Sequence, residues 1–238
     1  MSLITLYESV VGSKAYGLEQ PDSDTDIRAV AIENDLGYHF GLKVFECSVD
    51  MKNEDYVVWS LTHYSKLLAA NNTQMLEMLF AAPEMQRFVH PAFKENYLDH
   101  KEQFLNKSIY NTISGYAKSE YHRAVGDATG KLGAVRKEAI DTFGYSPRNA
   151  SHCVRLLYMG EKALKEHEIH VHLPDNIRNI CMGLKTGLAS FKDFDFYFNY
   201  YFQALEKAYA ESTLPESMDF DWLNQVIVAT SKEVLGIK

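Results

Sequence analysis

Residues 10–30 read VVGSKAYGLEQPDSDTDIRAV, and this stretch decides how the rest of the chain is read. A β-branched run ends at Gly12-Ser13, residues 14–23 form a spacer, and Asp24 and Asp26 open a second apolar run, DIRAVAIE. In that run Ile27, Ala29 and Ala31 alternate with Arg28, Val30 and Ile32. Such alternation is the period of a strand with at least one buried face. Residues two apart on an extended chain point the same way, so Asp24 and Asp26 are expected on one face at the strand's entrance. Pro21 disfavours extending the strand back to Asp22, which is expected in the turn.

Two carboxylates on one face repel each other unless a cation lies between them. Oxygen ligands favour Mg²⁺ or Mn²⁺. In phosphoryl-transfer sites two such ions about 4 Å apart clamp the attacking and leaving oxygens. A third carboxylate from a neighbouring strand completes such a cage, and Asp55, at the start of DYVVWSL, is the candidate, with Glu54 as its alternative. The Gly12-Ser13 turn fits the same chemistry. Glycine lets the backbone approach a phosphate closely, and the short helix expected in SKAYG turns its free N–H groups toward it. An isolated D-x-D is more often a solvated Asp-rich turn. A calcium loop is excluded because Ile27 stands where that loop requires glycine. What carries weight is the order: strand, Gly-Ser turn, spacer, D-x-D entering a second strand.

Outward from this stretch, GLKVFECSVD and DYVVWSL are further strand candidates. THYSKLLAANN has Tyr64, Leu67 and Leu68 at helical spacing, and NTQMLEMLFAAP starts at an Asn-Thr cap and stops before Pro83. Beyond HPAF the pattern becomes helical. KEQFLNKSIYNTISGYAKSEYHRAV, NASHCVRLLYMGEKALKEH and DFDFYFNYYFQALEKAYAES are long segments of helical period. Val154, Leu157 and Leu164 share one apolar stripe in the second. Gly126, Gly130 and Gly133 punctuate the first connection and GYSP the second. The expected fold class is α/β (α+β): a small mixed sheet in a catalytic domain over 1–92, then a helical domain over 93–238.

The net charge of −8 opposes a broad nucleic-acid footprint. Cys47, Cys153 and Cys181 are scattered, which argues against a disulfide framework or a thiolate zinc site. MSLITLYESV lacks the features of a signal peptide, and no run is long and apolar enough to span a bilayer. A cytoplasmic protein without a membrane partner is expected, in the host cytoplasm if it is viral.

GSKAYGLEQPDSDTDIR resembles the signature of the DNA polymerase β-type nucleotidyltransferase superfamily. More narrowly it is similar to the predicted nucleotidyltransferases with G-S-x-A-Y-G-L-x-x-P-x-S-D-x-D-x-R, among them RNA-repair-associated enzymes found in phages beside RNA ligase. NNTQMLEMLFAAP resembles that branch's N-P-x-x-L-E-x-L stretch, with Thr73 in place of proline. GYSPRNASHCVRLLYMG resembles its G-Y-x-x-K-H-A-x-H-x-x-R-L-L-x-M-G stretch. The resemblance implies phosphate binding at Gly12 and Ser13 and metal ligation by Asp24, Asp26 and Asp55, which would also be the catalytic carboxylates. It further implies nucleotide-binding roles for Arg28, Arg148, His152 and Arg155. Glu77 falls in the second matched stretch. One departure stands out: the family's Lys-His pair is Arg148-Asn149 here. Arginine keeps the charge but not the contact geometry of lysine, and an acid–base role for the histidine is lost.

These features together predict a metal-dependent enzyme that moves NMP from a nucleoside triphosphate to an acceptor hydroxyl, with an RNA end as the preferred acceptor. The alternatives are AMP transfer to protein and an inactive nucleotide- or RNA-binding module. Lys118, Arg123, Lys131, Arg136, Lys137 and Arg148, interleaved with Tyr116, Tyr121 and Tyr145, form the most basic stretch and suit an RNA end. Alone, such a stretch is more often a solvated helix face. HEIHVH places His170 and His172 two apart, a spacing open to zinc but commoner in a polar connection between helices. His90, before Pro91, is expected to pack or cap.

Overall fold

Residues 2–35, 37–40, 43–50, 55–127 and 133–237 are described by a computed structural model. The chain forms two compact units, 1–106 together with 217–238, and 107–216.

The first unit is built on a mixed sheet. Its strands are β1 (Leu3–Val11), β2 (Asp26–Glu33), β3 (Cys47–Asp50), β4 (Asp55–Ser60) and β5 (Gln86–Val89). Among the described residues their order is β3-β4-β2-β1-β5. β2 runs antiparallel to β1 and parallel to β4. β5, which has no clear alternation, closes the β1 edge. The unit's helices are α1 (Gly12–Tyr16), α2 (Gly37–Phe40), α3 (Leu61–Ala69), α4 (Thr73–Leu79), α5 (Pro91–Asn96) and, from the end of the chain, α11 (Phe220–Leu235).

Local chemistry sets these helix starts. Ser60 caps α3 by accepting from the His63 N–H, and Asn72 caps α4 by accepting from those of Gln74 and Met75. His90 caps α5, its Nδ1 accepting from the Ala92 N–H at 3.2 Å. Tyr7, Tyr64, Phe93, Tyr97 and Phe104 form a run of ring contacts at the centre of the core. Tyr7 is fully buried, and its hydroxyl donates to the Met78 carbonyl at 2.7 Å. That bond spares a buried hydroxyl its desolvation penalty.

The second unit is helical: α6 (Ile109–Val125), α7 (Ala134–Phe143), α8 (Pro147–Glu166), α9 (Asp175–Lys185) and α10 (Phe191–Glu211). α8 packs against α6, α9 and α10, and Val154, Leu157 and Leu164 are fully buried along it, as their spacing predicts. α7, α9 and α11 are helices that the sequence reading left unassigned. α9 and α11 do carry stripes of helical period, with Ile177, Cys181 and Leu184 buried along α9 and Leu223, Val226 and Thr230 along α11, whereas α7 buries none of its residues and gives little signal.

The compact units do not divide at 92/93. Residues 93–106 stay with the sheet because Phe93, Tyr97 and Phe104 belong to its aromatic core. The last helix returns to the same unit, where α11 packs on α3 and α5.

Candidate active site

The Gly-Ser turn forms α1 directly from the end of β1. Gly12 adopts φ +70°, in the left-handed region that favours glycine. A Cβ placed there would overlap Oδ2 of Asp26. The Asp26 carboxylate therefore occupies the space that a side chain at position 12 would fill. Gly17, also left-handed, ends α1, and the Leu18 N–H returns to the Ser13 carbonyl at 2.8 Å.

Three segments distant in sequence reach one end of the sheet. Val11, the last residue of β1, pairs with Asp26, the first of β2, and Asp26 pairs in register with Asp55, the first of β4. Antiparallel β1 ends where β2 begins, and parallel β4 begins there too. The turn glycine and two of the expected carboxylate positions thus become neighbours along one sheet edge. The side chain of Asp55 and the whole of Glu54 lie outside the described residues.

Asp24 departs from the expectation. The strand begins at Asp26, and Asp24 lies in the irregular segment before it, exposed, while Asp26 is half-buried. Pairing with β1 stops at Val11, where the chain turns into α1, so no ladder holds Asp24 in the strand. Asp22 sits in the turn, as expected. Lys14 on α1 hydrogen-bonds the Thr25 hydroxyl, which ties the spacer across the mouth of the turn. Arg28, paired with Ser9, shares its face of β2 with Asp26, and one guanidinium nitrogen donates to the Ile27 carbonyl at 2.9 Å.

Glu77 has a visible task. It is buried within an otherwise apolar segment of α4, and it accepts from the Tyr16 hydroxyl at 2.5 Å, anchoring α1. The sequence reading named Glu77 by its place in the matched LEML stretch, without giving it this task.

The remaining candidates lie in the second unit. Arg148 is exposed at the start of α8. Arg155 is buried, 5 % exposed, with one guanidinium nitrogen 3.2 Å from the Met159 sulfur. His152 is half-buried, its Nδ1 3.6 Å from the Glu120 carboxylate, and the Tyr116 ring meets its imidazole edge-on. Glu120, on α6, is 2 % exposed and also accepts from Arg123 at 2.5 Å and from the Asn149 amide at 2.6 Å. Burial pushes the Glu120 carboxyl up, but the contacts from His152 and Asn149 and the charges of His152 and Arg123 outweigh it and hold it down at about 2. Sequence reading missed Glu120, which looks like any surface glutamate in AKSEYHRAV. Asn149 links it to Ser146, whose hydroxyl donates to the Asn149 amide oxygen at 2.7 Å.

The basic stretch is partly consumed by packing. Tyr145 is fully buried, its hydroxyl donating to the Ala189 carbonyl at 2.8 Å, and the Tyr121 hydroxyl donates to Asp195 at 2.8 Å. Lys118 lies over the Phe202 ring. Lys131 and Gly130 lie outside the described residues. HEIHVH connects α8 to α9: His167 ends α8, and His170 contacts Glu166 and the Tyr158 hydroxyl. Among the described residues no three His, Cys, Asp or Glu side chains are grouped to hold a metal, and no helix is long and apolar enough to cross a membrane.

Compared with known families, residues 2–178 match the model of the RNA repair pathway DNA polymerase beta family (RlaP). Among solved structures, the crystal structure of a nucleotidyltransferase-like protein from Exiguobacterium sibiricum 255-15 is 11 % identical. That match covers 98 % of this chain and 73 % of that chain, with a TM-score of 0.32. Comparison with curated proteins finds no match.

Proposed function

The chain belongs to the RNA repair pathway DNA polymerase beta family, and from that membership we propose a nucleotidyltransferase that moves NMP from a nucleoside triphosphate to the hydroxyl of an RNA end. The observation that supports this most is the meeting of the Gly12 turn, Asp26 and the Asp55 backbone at one end of the sheet. Phosphoryl transfer needs a phosphate-binding turn close to its carboxylates, and a register that brings Gly12, Asp26 and the Asp55 backbone to one sheet edge supports that reading.

The donor set fits a hard divalent cation. The candidates are carboxylates only, and Asp26 is held against a backbone with no side chain of its own to intervene. Asp24, Asp26 and Asp55 would hold Mg²⁺ or Mn²⁺, which supplies positive charge to the reacting phosphate. The chain's own groups do the rest. Gly12 and Ser13 bring backbone N–H groups and a hydroxyl to the triphosphate tail. Arg28, on the face of Asp26, neutralises charge nearby. The acceptor hydroxyl gives up its proton to water, its oxygen attacks the α-phosphorus to form the new P–O bond, the bond to the β-phosphate bridge breaks, and pyrophosphate leaves with that electron pair. In the second unit, Arg148 and His152 are proposed to contact nucleotide or RNA phosphates, while Arg155 supports α8 from within.

The test is transfer from each common NTP labelled at the α-phosphate, with Mg²⁺ or Mn²⁺, offering total RNA and cell protein as acceptors. Label on RNA is expected with the native chain. Asp24→Ala and Asp26→Ala are expected to abolish it while leaving the circular dichroism spectrum unchanged. Full turnover by either variant overturns the mechanism. Label on protein alone moves the acceptor to a protein hydroxyl, and nucleotide binding without transfer leaves a binding module.

A further inference from the structure

The cluster around Glu120 carries an inference of its own. A buried carboxylate in a helical bundle is costly unless fully paired. Glu120 is paired by Arg123 from its own helix and by Asn149 and His152 from α8. Asn149 and Arg123 already provide hydrogen bonds at 2.6 and 2.5 Å. The separation from His152 Nδ1 is 3.6 Å, so the imidazole adds an ion-pair contact rather than a needed hydrogen bond. Its effect is on the imidazole instead. With Nδ1 toward the acid and the ring against Tyr116, the orientation is set, and Nε2 is the nitrogen left over. No partner for Nε2 is seen among the described residues, although the ring is half-buried.

Arg148 stands four residues earlier, one turn of α8, and is exposed on the same side as His152. The charged and aromatic groups around His152 therefore come from α6 (Glu120, Arg123, Tyr116) and from α8 itself (Arg148). α9 and α10 also pack on α8. A buried carboxylate behind an imidazole, with the Arg148 guanidinium one turn away, suits an anionic oxygen.

We propose that Glu120 is a positioning residue: it holds His152 by Nδ1 so that Nε2–H, with Arg148 one turn earlier, grips a phosphate group of a nucleotide-class ligand. This rests on the nucleotidyltransferase reading for the ligand's identity, but its test needs neither turnover nor a divalent ion. Full-length protein with ¹⁵N-labelled histidine is titrated with inorganic triphosphate, following the His152 ring nitrogens by NMR and affinity by calorimetry. In the native chain, the Nε2 resonance of His152 is expected to move on saturation, with Nδ1 carrying its proton toward Glu120. Glu120→Gln keeps an acceptor for Asn149 but removes the charge. It is expected to lose the Nε2 response and weaken the second-unit binding step about tenfold, the weight of one charge-assisted contact. Glu120→Asp is expected to recover part of it. Combined with His152→Gln, the Glu120 change should cost nothing more, because it acts through the ring.

A native Nε2 resonance that ignores triphosphate overturns the proposal, and this reading needs no variant to fold. Additive losses in the double variant also overturn it. If transfer to RNA requires Asp24 and Asp26 while His152 stays silent, only this inference fails. If His152 responds but no NTP is turned over, only the enzymatic reading fails.

Discussion

Gly12 joins backbone geometry to chemistry at a single residue. Its left-handed φ and the Asp26 carboxylate above it both exclude a side chain. Gly12→Ala is expected to cost about 1–3 kcal/mol of stability from the strained backbone. It is expected to cost more in turnover, because the new methyl displaces Asp26. Urea denaturation and kcat, measured on the same preparation, separate the two effects. A variant with native kcat would mean that Asp26 need not sit where it does. Glu120 gives a second signature at this scale. Its folded value of about 2 lies below the ordinary 4.5, so its stabilisation is complete above the ordinary value and lost as pH falls toward the folded one. Native protein is expected to lose stability through that acid window, and Glu120→Gln to show a flatter profile there. Urea midpoints measured from neutral pH down to about pH 2 check this, and identical slopes would sink it.

At the scale of the element, capping and close packing decide the outcome. Asn72 accepts from two free N–H groups at the start of α4, the helix whose Glu77 anchors α1. Asn72→Ala is expected to lose about 1 kcal/mol, read from the chemical-denaturation midpoint at unchanged slope. Gly160 has a different task. A Cβ on it would stand 2.7 Å from the Ile113 side chain of α6 and 2.9 Å from that of Leu205 on α10. Gly160 thus lets α8 approach both neighbours, and Gly160→Ala is expected to destabilise by about 1–3 kcal/mol through overpacking, despite alanine's better helix propensity. A thermal melt at or above the native midpoint would show that the neighbours give way freely.

For the whole molecule, the order of the chain and its division into compact units part company. The second unit is one continuous segment, whereas the first needs the end of the chain to finish its core. Leu223 of α11 is 4 % exposed, and Trp222 meets the Phe104 ring edge-on at 4.9 Å. Leu223→Ala is expected to cost about 2–3 kcal/mol. A chain ended at residue 216 is expected to lose protection of β1 and β2 amides in hydrogen exchange. Native protection in the shortened chain would show that α11 is dispensable to the sheet. The −8 charge also acts at this scale, since it opposes a broad nucleic-acid footprint.

Sequence by itself determined the family, the strand–turn–strand that opens the chain, the helical segments that contain α6, α8 and α10, and the cap at Asn72, and it left His90 to pack or cap. Those features are written in spacing over a few residues: alternation, helical period, a capping side chain, a glycine at a turn. Only the tertiary structure decided that β2 begins at Asp26 and leaves Asp24 outside the ladder. It alone set Asp55 in register with Asp26, buried Glu120 beneath His152, and brought α11 back to the sheet. Each of these depends on contacts between residues far apart in the chain. Strand register, burial of a charge and closure of a core follow from which surfaces pack together, and no local period encodes that choice.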